Sequence, residues 1–222
     1  MVPEIKICGL TCMEEAIWLR EEKVNYAGLV LFYEKSKRNN RVEQVFQILR
    51  ALKEPGFGAP IKSVAVVVSP TAEQVQIIEK LGFDLIQVHG EVKPEVVKLI
   101  HIPMIRAVQV KDDNADAEMS QEIGMEKASA KAMAEKSWAY LYDAAEPGSG
   151  KSFDWEKLGK IPANDRKRIL AGGLHAGNVR RAIETVRPDI VDVSSGVELG
   201  MDVVGKDREK IKEFVRKVRT NE

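Results

Sequence analysis

Several residues able to move protons or hold anions fall at equivalent places in this chain's pattern. Cys8 closes the apolar run EIKIC, Asp143 follows WAYLY, His89 ends DLIQVH, and Asp192 lies within DIVDV. Arg38 ends the basic loop YEKSKR. Glycines follow two further runs, in Ala171-Gly172-Gly173-Leu174 and in Ser194-Ser195-Gly196-Val197-Glu198. A thiolate and a carboxylic acid facing one small pocket can move protons on a sugar without a cofactor, each contributing about 10²–10⁴-fold. A guanidinium holds a planar carboxylate through two parallel hydrogen bonds. Glycine loops at helix starts let a phosphate approach backbone N–H groups.

Each group also has an ordinary structural role. A free cysteine commonly packs as a small apolar group. An Asp after a strand often serves a turn or cap, and a lone His is often a satisfied core side chain. Lys35, Lys37, Arg38 and Arg41 together also suit a solvated cluster, and paired glycines suit tight turns. Placement after the C-terminal ends of strands raises the chemical reading of Cys8, Asp143 and His89 together though of none singly, because α/β enzymes assemble their sites there. Two neighbouring glycine loops favour phosphate, and spacing alone does not decide Arg38. A catalytic thiol works best with its pKa below the ordinary value of about 8.5. Lys6, two residues before Cys8, falls on the same side of an alternating strand. The segment GSGKS (148–152) lacks a phosphate-loop glycine at Ala145, so a sugar phosphate fits better than a nucleoside triphosphate.

The elements that must position these groups repeat eight times. Short apolar runs occur at 4–8, 26–32, 63–68, 84–89, 104–110, 138–142, 168–172 and 189–193, apolar enough for strands buried on both faces. Between them, Val42, Val45, Phe46 and Leu49 share helical spacing, as do Val179, Ala182, Ile183 and Val186, and Ile211, Phe214, Val215 and Val218. In the first helix, from about Met13 to Lys23, Arg20 interrupts the stripe. The pattern predicts an α/β fold, a single (β/α)8 TIM barrel domain over residues 1–222, with a doubly wound open sheet as the alternative. In a barrel, Cys8 and Asp143 would face each other across the mouth. The two glycine loops would follow strands seven and eight, where barrels often hold phosphate. EPGFGAP (54–60) would be a loop on the opposite face, and 111–136 would hold a helix broken near Gly124.

Composition narrows the function. The 222 residues carry 34 Lys and Arg against 34 Asp and Glu, which argues against a nucleic-acid partner. Two cysteines, Cys8 and Cys12, make neither a disulfide framework nor a zinc signature, so no metal and no cofactor are expected. No apolar run reaches the roughly 20 residues that span a bilayer, and the N-terminus lacks a signal peptide's apolar stretch. The expected setting is the cytoplasm, with a small-molecule substrate and a monomer or homodimer.

The ordered segments KICGLT (6–11), GLVLF with KSKR (28–38), LIQVHG (85–90), YD with PGSGKSFDW (142–155), LAGGL with Asn178 (170–178), RPDIVDVSSGVE (187–198) and GKD (205–207) resemble the phosphoribosylanthranilate isomerases of tryptophan biosynthesis. The resemblance implies a cofactor-free Amadori rearrangement of N-(5-phosphoribosyl)anthranilate on a (β/α)8 barrel. By motif match Asp143 would protonate the furanose ring oxygen and Cys8 would remove the C2′ proton. Arg38 would hold the anthranilate carboxylate, His89 and Asp192 would line the pocket, and the Gly172–Gly173 and Ser195–Gly196 loops would take the phosphate. Glu34 stands where proline is common, and Cys12 where another residue is usual; neither departure removes a catalytic group.

Overall fold

The computed structural model describes residues 2–55, 60–110, 127–144, 155–159, 165–200 and 203–220. Its strands are β1 (Glu4–Cys8), β2 (Tyr26–Leu31), β3 (Asn39–Asn40), β4 (Lys62–Val68), β5 (Leu85–His89), β6 (Met104–Val110), β7 (Ser137–Ala144), β8 (Lys167–Leu170) and β9 (Ile190–Val193). They run in the order β1-β9-β8-β7-β6-β5-β4-β2-β3, and a further β1–β2 pairing closes the sheet on itself. β3 is a two-residue addition to β2, so eight parallel strands form the wall. Each of the eight apolar runs became one of them, and the β1–β2 closure rules out the open sheet.

Parallel neighbours need crossover connections. These carry α1 (Met13–Glu21), α2 (Val42–Lys53), α3 (Ala72–Leu81), α4 (Pro94–Val97), α5 (Lys127–Lys136), α6 (Trp155–Gly159) and α7 (Val179–Val186), and α8 (Arg208–Arg219) follows β9. Local signals set several ends. Thr71 and Gln74 form a capping box at the start of α3, Gly82 ends it in the left-handed conformation, and Asp207 caps α8. Among the described residues no helix is long and apolar enough to cross a membrane.

The alternation of each strand divides the core in two. Ile5 and Ile7 of β1 pack outward under the helices, which leaves Lys6 and Cys8 on the inner face. In β7, Ala139 and Leu141 point inward with Val64 and Ile105, so Asp143 is next on that face.

The helix stripes are mostly as expected. Ile211, Phe214, Val215 and Val218 are all buried, and so are Val179, Ala182 and Val186. In α2, Val45 and Leu49 are buried together with Ile48 and Leu52, while Phe46 stays 65% exposed and Val42 37%. The apolar arc of α2 is wider than the face that meets the sheet, and spacing alone does not say which edge turns inward. Arg20 also reads differently in three dimensions. It is buried, and its Nη1 donates to the Ala51 carbonyl at 2.9 Å, serving a carbonyl in the last turn of α2. The break expected near Gly124 and the loop 145–154 lie outside the described residues.

Candidate active site

Cys8 ends β1 on the barrel's inner face, half-buried. Across from it on β2 stands Gly28, where a Cβ would lie 2.9 Å from the sulfur and 3.1 Å from Cys8 Cα. The thiol therefore has its place because the facing residue has no side chain. One step deeper, Lys6 is fully buried and its Nζ lies 2.8 Å from Asp192 Oδ2, the two residues being paired in the β1–β9 register. Burial works against the Lys6 charge, but Asp192 and then Cys8 outweigh it and raise its pKa. A buried ammonium thus sits beside the thiol. Burial nevertheless pushes the Cys8 thiol above its usual value, while Lys6, Lys206 and Arg38 pull it back. The lowered pKa desired from sequence is not met here, because desolvation of the thiolate outweighs the three cations.

Beside this pair, Gln87 Nε2 lies 2.8 Å from His89 Nε2, a hydrogen bond whose direction follows the tautomer of the ring. Burial, then Lys6 and Arg106, lower the His89 pKa to about 4, which leaves the ring neutral near pH 7. Among the described residues, two buried acceptors, Gln87 Oε1 and Asp192 Oδ1, have no protein partner. Such groups call for a donor.

Arg38 does not belong to a solvated cluster. Lys35 and Arg41 are exposed, but Arg38 lies across Gly9, where a Cβ would come within 2.5 Å of its Cδ. Its Nε donates to Glu198 Oε1. Lys206 Nζ, itself buried, lies 3.2 Å from the same oxygen, and Lys37 Nζ lies 3.5 Å from the other. Burial opposes ionisation of Glu198, but the Arg38 hydrogen bond and the Lys206 charge prevail and pull it down to about 2. Lys206 also donates to the Ser194 carbonyl at 3.2 Å, and Ser194 Oγ donates to the Cys8 carbonyl at 2.9 Å. Asn40 fixes the loop of Arg38, its Nδ2 donating to the carbonyls of Leu10 at 2.9 Å and Arg38 at 3.1 Å.

Asp143 lies near the end of β7, half-buried. Going round the wall, β7 is three strands from β1 through β8 and β9 and five the other way, so the acid stands across the mouth but off its diameter. Gly172 and Gly173 follow β8 with φ of 87° and 63°, conformations that favour glycine. A Cβ on Gly196 would lie 2.0 Å from the Leu174 carbonyl oxygen, so the loops after β8 and β9 press together. Ser195 and Gly196 open a short 3-10 turn.

Sequence reasoning missed Lys206, Glu198, Gly28, Gln87 and Asn40. A lysine inside the apolar run Glu4–Cys8 was the readable signal for a buried cation. Lys206 lies in the GKD segment, but nothing there marked it for burial against Ser194 and Glu198. Among the described residues no group of three or more metal-ligating side chains converges.

A closed parallel barrel with a thiol, a carboxyl and a guanidinium gathered at the C-terminal ends of its strands defines a (β/α)8-barrel enzyme. The family profile described as N-(5'phosphoribosyl)anthranilate (PRA) isomerase matches residues 5–217. The N-(5'-phosphoribosyl)anthranilate isomerase of Aquifex aeolicus is 35% identical over 222 residues, covering 98% of both chains. That of Nitrosomonas eutropha is 37% identical over 224 residues, covering 98% of this chain and 97% of its own. The solved phosphoribosyl anthranilate isomerase of Thermotoga maritima superposes with a TM-score of 0.78 at 33% identity, over 98% of each chain. A further isomerase structure, in complex with reduced 1-(o-carboxyphenylamino)-1-deoxyribulose 5-phosphate, matches with a TM-score of 0.75 at 30% identity, again over 98% of each. The chain belongs to the N-(5'-phosphoribosyl)anthranilate isomerase family.

Proposed function

We propose that the chain isomerises N-(5-phosphoribosyl)anthranilate to 1-(2-carboxyphenylamino)-1-deoxyribulose 5-phosphate in tryptophan biosynthesis, with Asp143 as general acid and Cys8 as general base. Asp143 protonates the furanose ring oxygen, the C1′–O bond breaks, and the anilino nitrogen forms a protonated Schiff base. The Cys8 thiolate then removes the C2′ proton, giving an enolamine that gains a proton at C1′ and loses one from its hydroxyl to become the ketone. The observation that carries this reading is the thiol's setting, cleared by Gly28 and flanked by buried Lys6. Burial raises the Cys8 pKa, and the neighbouring ammonium offsets part of that cost of forming the thiolate that proton removal requires.

Arg38 holds the anthranilate carboxylate. The Gly172–Gly173 and Ser195–Gly196 loops take the phosphate on backbone N–H groups, and Asp192 and His89 line the sugar between them. The residues 1–222 act as one barrel domain, as a monomer or homodimer. Two free cysteines suit a reducing cytoplasm. The test is consumption of freshly made substrate by purified protein, followed by loss of anthranilate-type fluorescence. Conversion without added metal or coenzyme, and after exhaustive chelation, is expected. No conversion by folded protein, or activity that returns only with one metal, would overturn the proposal.

A further inference from the structure

We infer that Glu198 is a positioning residue that aims Arg38 at the substrate carboxylate. The inference rests on the role of Arg38 proposed above and deepens it. An arginine side chain carries much rotamer entropy, and a clamp that must be ordered at each binding event binds more weakly than one already set. Here the ordering is built in. Glu198 meets Arg38 at Nε, and among the described residues no acceptor meets the two Nη groups. One edge of the guanidinium is held by the protein, and its end-on pair stays open for a planar carboxylate.

Glu198 is itself fixed from several directions. Lys206 Nζ holds its carboxylate at 3.2 Å, Lys210 Nζ donates to its backbone carbonyl at 2.7 Å, and an antiparallel bridge joins Glu198 to Lys206. Lys206 is anchored in turn, its N–H donating to Glu15 Oε1 at 2.6 Å. The other Glu15 oxygen accepts from the Thr11 N–H at 2.6 Å, which ties the arrangement to the loop after Cys8. The cluster also keeps a positive balance. Among the described residues Lys206 and Lys37 share the Glu198 carboxylate with Arg38, so the ion pair with Glu198 does not extinguish the attraction of Arg38 for an anion.

Glu198→Asp separates aim from charge, because it keeps the carboxylate and withdraws it by one methylene. Two ligands read the result: the reduced product analogue, and the same compound without its ring carboxylate. The expected outcome is a rise in KM of about tenfold, with kcat within about threefold. Affinity for the carboxylate-bearing analogue should fall by about tenfold, and affinity for the carboxylate-free one should hold. In an Arg38→Ala background, Glu198→Asp should change neither affinity. Equal weakening of both analogues, or losses that multiply in the double variant, would overturn the inference. If Arg38→Ala leaves discrimination between the analogues intact, the role of Arg38 itself fails. If Arg38→Ala abolishes discrimination and Glu198→Asp does not disturb it, only the present inference fails. Should Glu198→Asp not fold, Glu198→Gln keeps the length and reads the same discrimination, with the same outcome expected and the same result overturning it.

Discussion

Replacing Gly28 with alanine probes why the thiol can stand where it does. The added methyl would lie 2.9 Å from Cys8 Sγ, 3.1 Å from Cys8 Cα and 3.3 Å from Cys8 Cβ. Carbon contacts are comfortable at about 3.5–4.0 Å, so the sulfur must retreat by about 0.5–1 Å. The Cα cannot follow easily, since β1 is paired on both sides, with β2 and β9. Overpacking of this kind costs about 1–3 kcal/mol, and Gly→Ala offsets about 0.4–1 kcal/mol of that through the unfolded chain. A net loss of about 1–2 kcal/mol lowers Tm by about 2–8 °C at this chain length. Activity should suffer far more, because a reacting atom displaced by about 1 Å costs about 10²-fold. Thermal unfolding by circular dichroism and the fluorescence assay measure the two effects. Gly200→Ala, where a Cβ meets nothing within 4 Å, serves as the comparison and should leave activity unchanged and raise Tm by about 1–4 °C through the unfolded chain alone. Full activity with an unchanged Tm in Gly28→Ala would show that the clearance has no bearing on the thiol.

Three further outcomes are expected. Cys8→Ser and Asp143→Asn should each lower kcat by about 10²–10⁴-fold with little change in Tm, and the double variant should lose less than the product of the single losses; a near-normal kcat in Cys8→Ser would return that residue to packing. Lys6→Met should destabilise by about 3–5 kcal/mol in urea titration, because it strands the buried Asp192 carboxylate. Lys6→Met with Asp192→Leu should recover most of that stability, and equal losses would show that the pair is not coupled. His89 is held near 4 by burial, against 6.5 for a free ring, so the unfolded chain takes up a proton from about pH 6.5 downward and the folded chain does so only near pH 4. Stability should therefore fall as pH drops through that window, and His89→Gln should flatten the fall in urea midpoints; an unchanged slope would assign it to other groups.

The barrel was legible because burial on both faces makes each strand an apolar run that needs no partner to be recognised. Ends were less so: β7 extends to Ala144 and β8 stops at Leu170, since hydrogen bonding to neighbours, not hydrophobicity, sets where a strand stops. Phe46 and Arg20 misled for a related reason. Helical spacing shows that a stripe exists, but the packing of α1 on α2 decides that Arg20 serves the carbonyls of α2 while Phe46 meets solvent. At the site, the strand-end residues Cys8, His89 and Asp143 stood out by position. The pairs Lys6–Asp192 and Arg38–Glu198 did not, because they join residues 186 and 160 positions apart and leave no periodic trace. Gly28 was hidden inside an apolar run, where its meaning depends on which residue lies across from it.

Lys6 and Asp192 also fix an order of events in the life of the chain. At about 5–20 residues per second, the 186 positions between them occupy a ribosome for about 10–40 s. Throughout that interval the first strand carries an ammonium whose counter-ion does not yet exist, and burying it unpaired would cost several kcal/mol. β1 therefore cannot settle into a closed wall early. It must wait for the strand that arrives nearly last, and the thiol two residues further on waits in the open with it. The same placement that half-buries Cys8 in the finished barrel leaves its thiol fully exposed to solvent on the newborn chain.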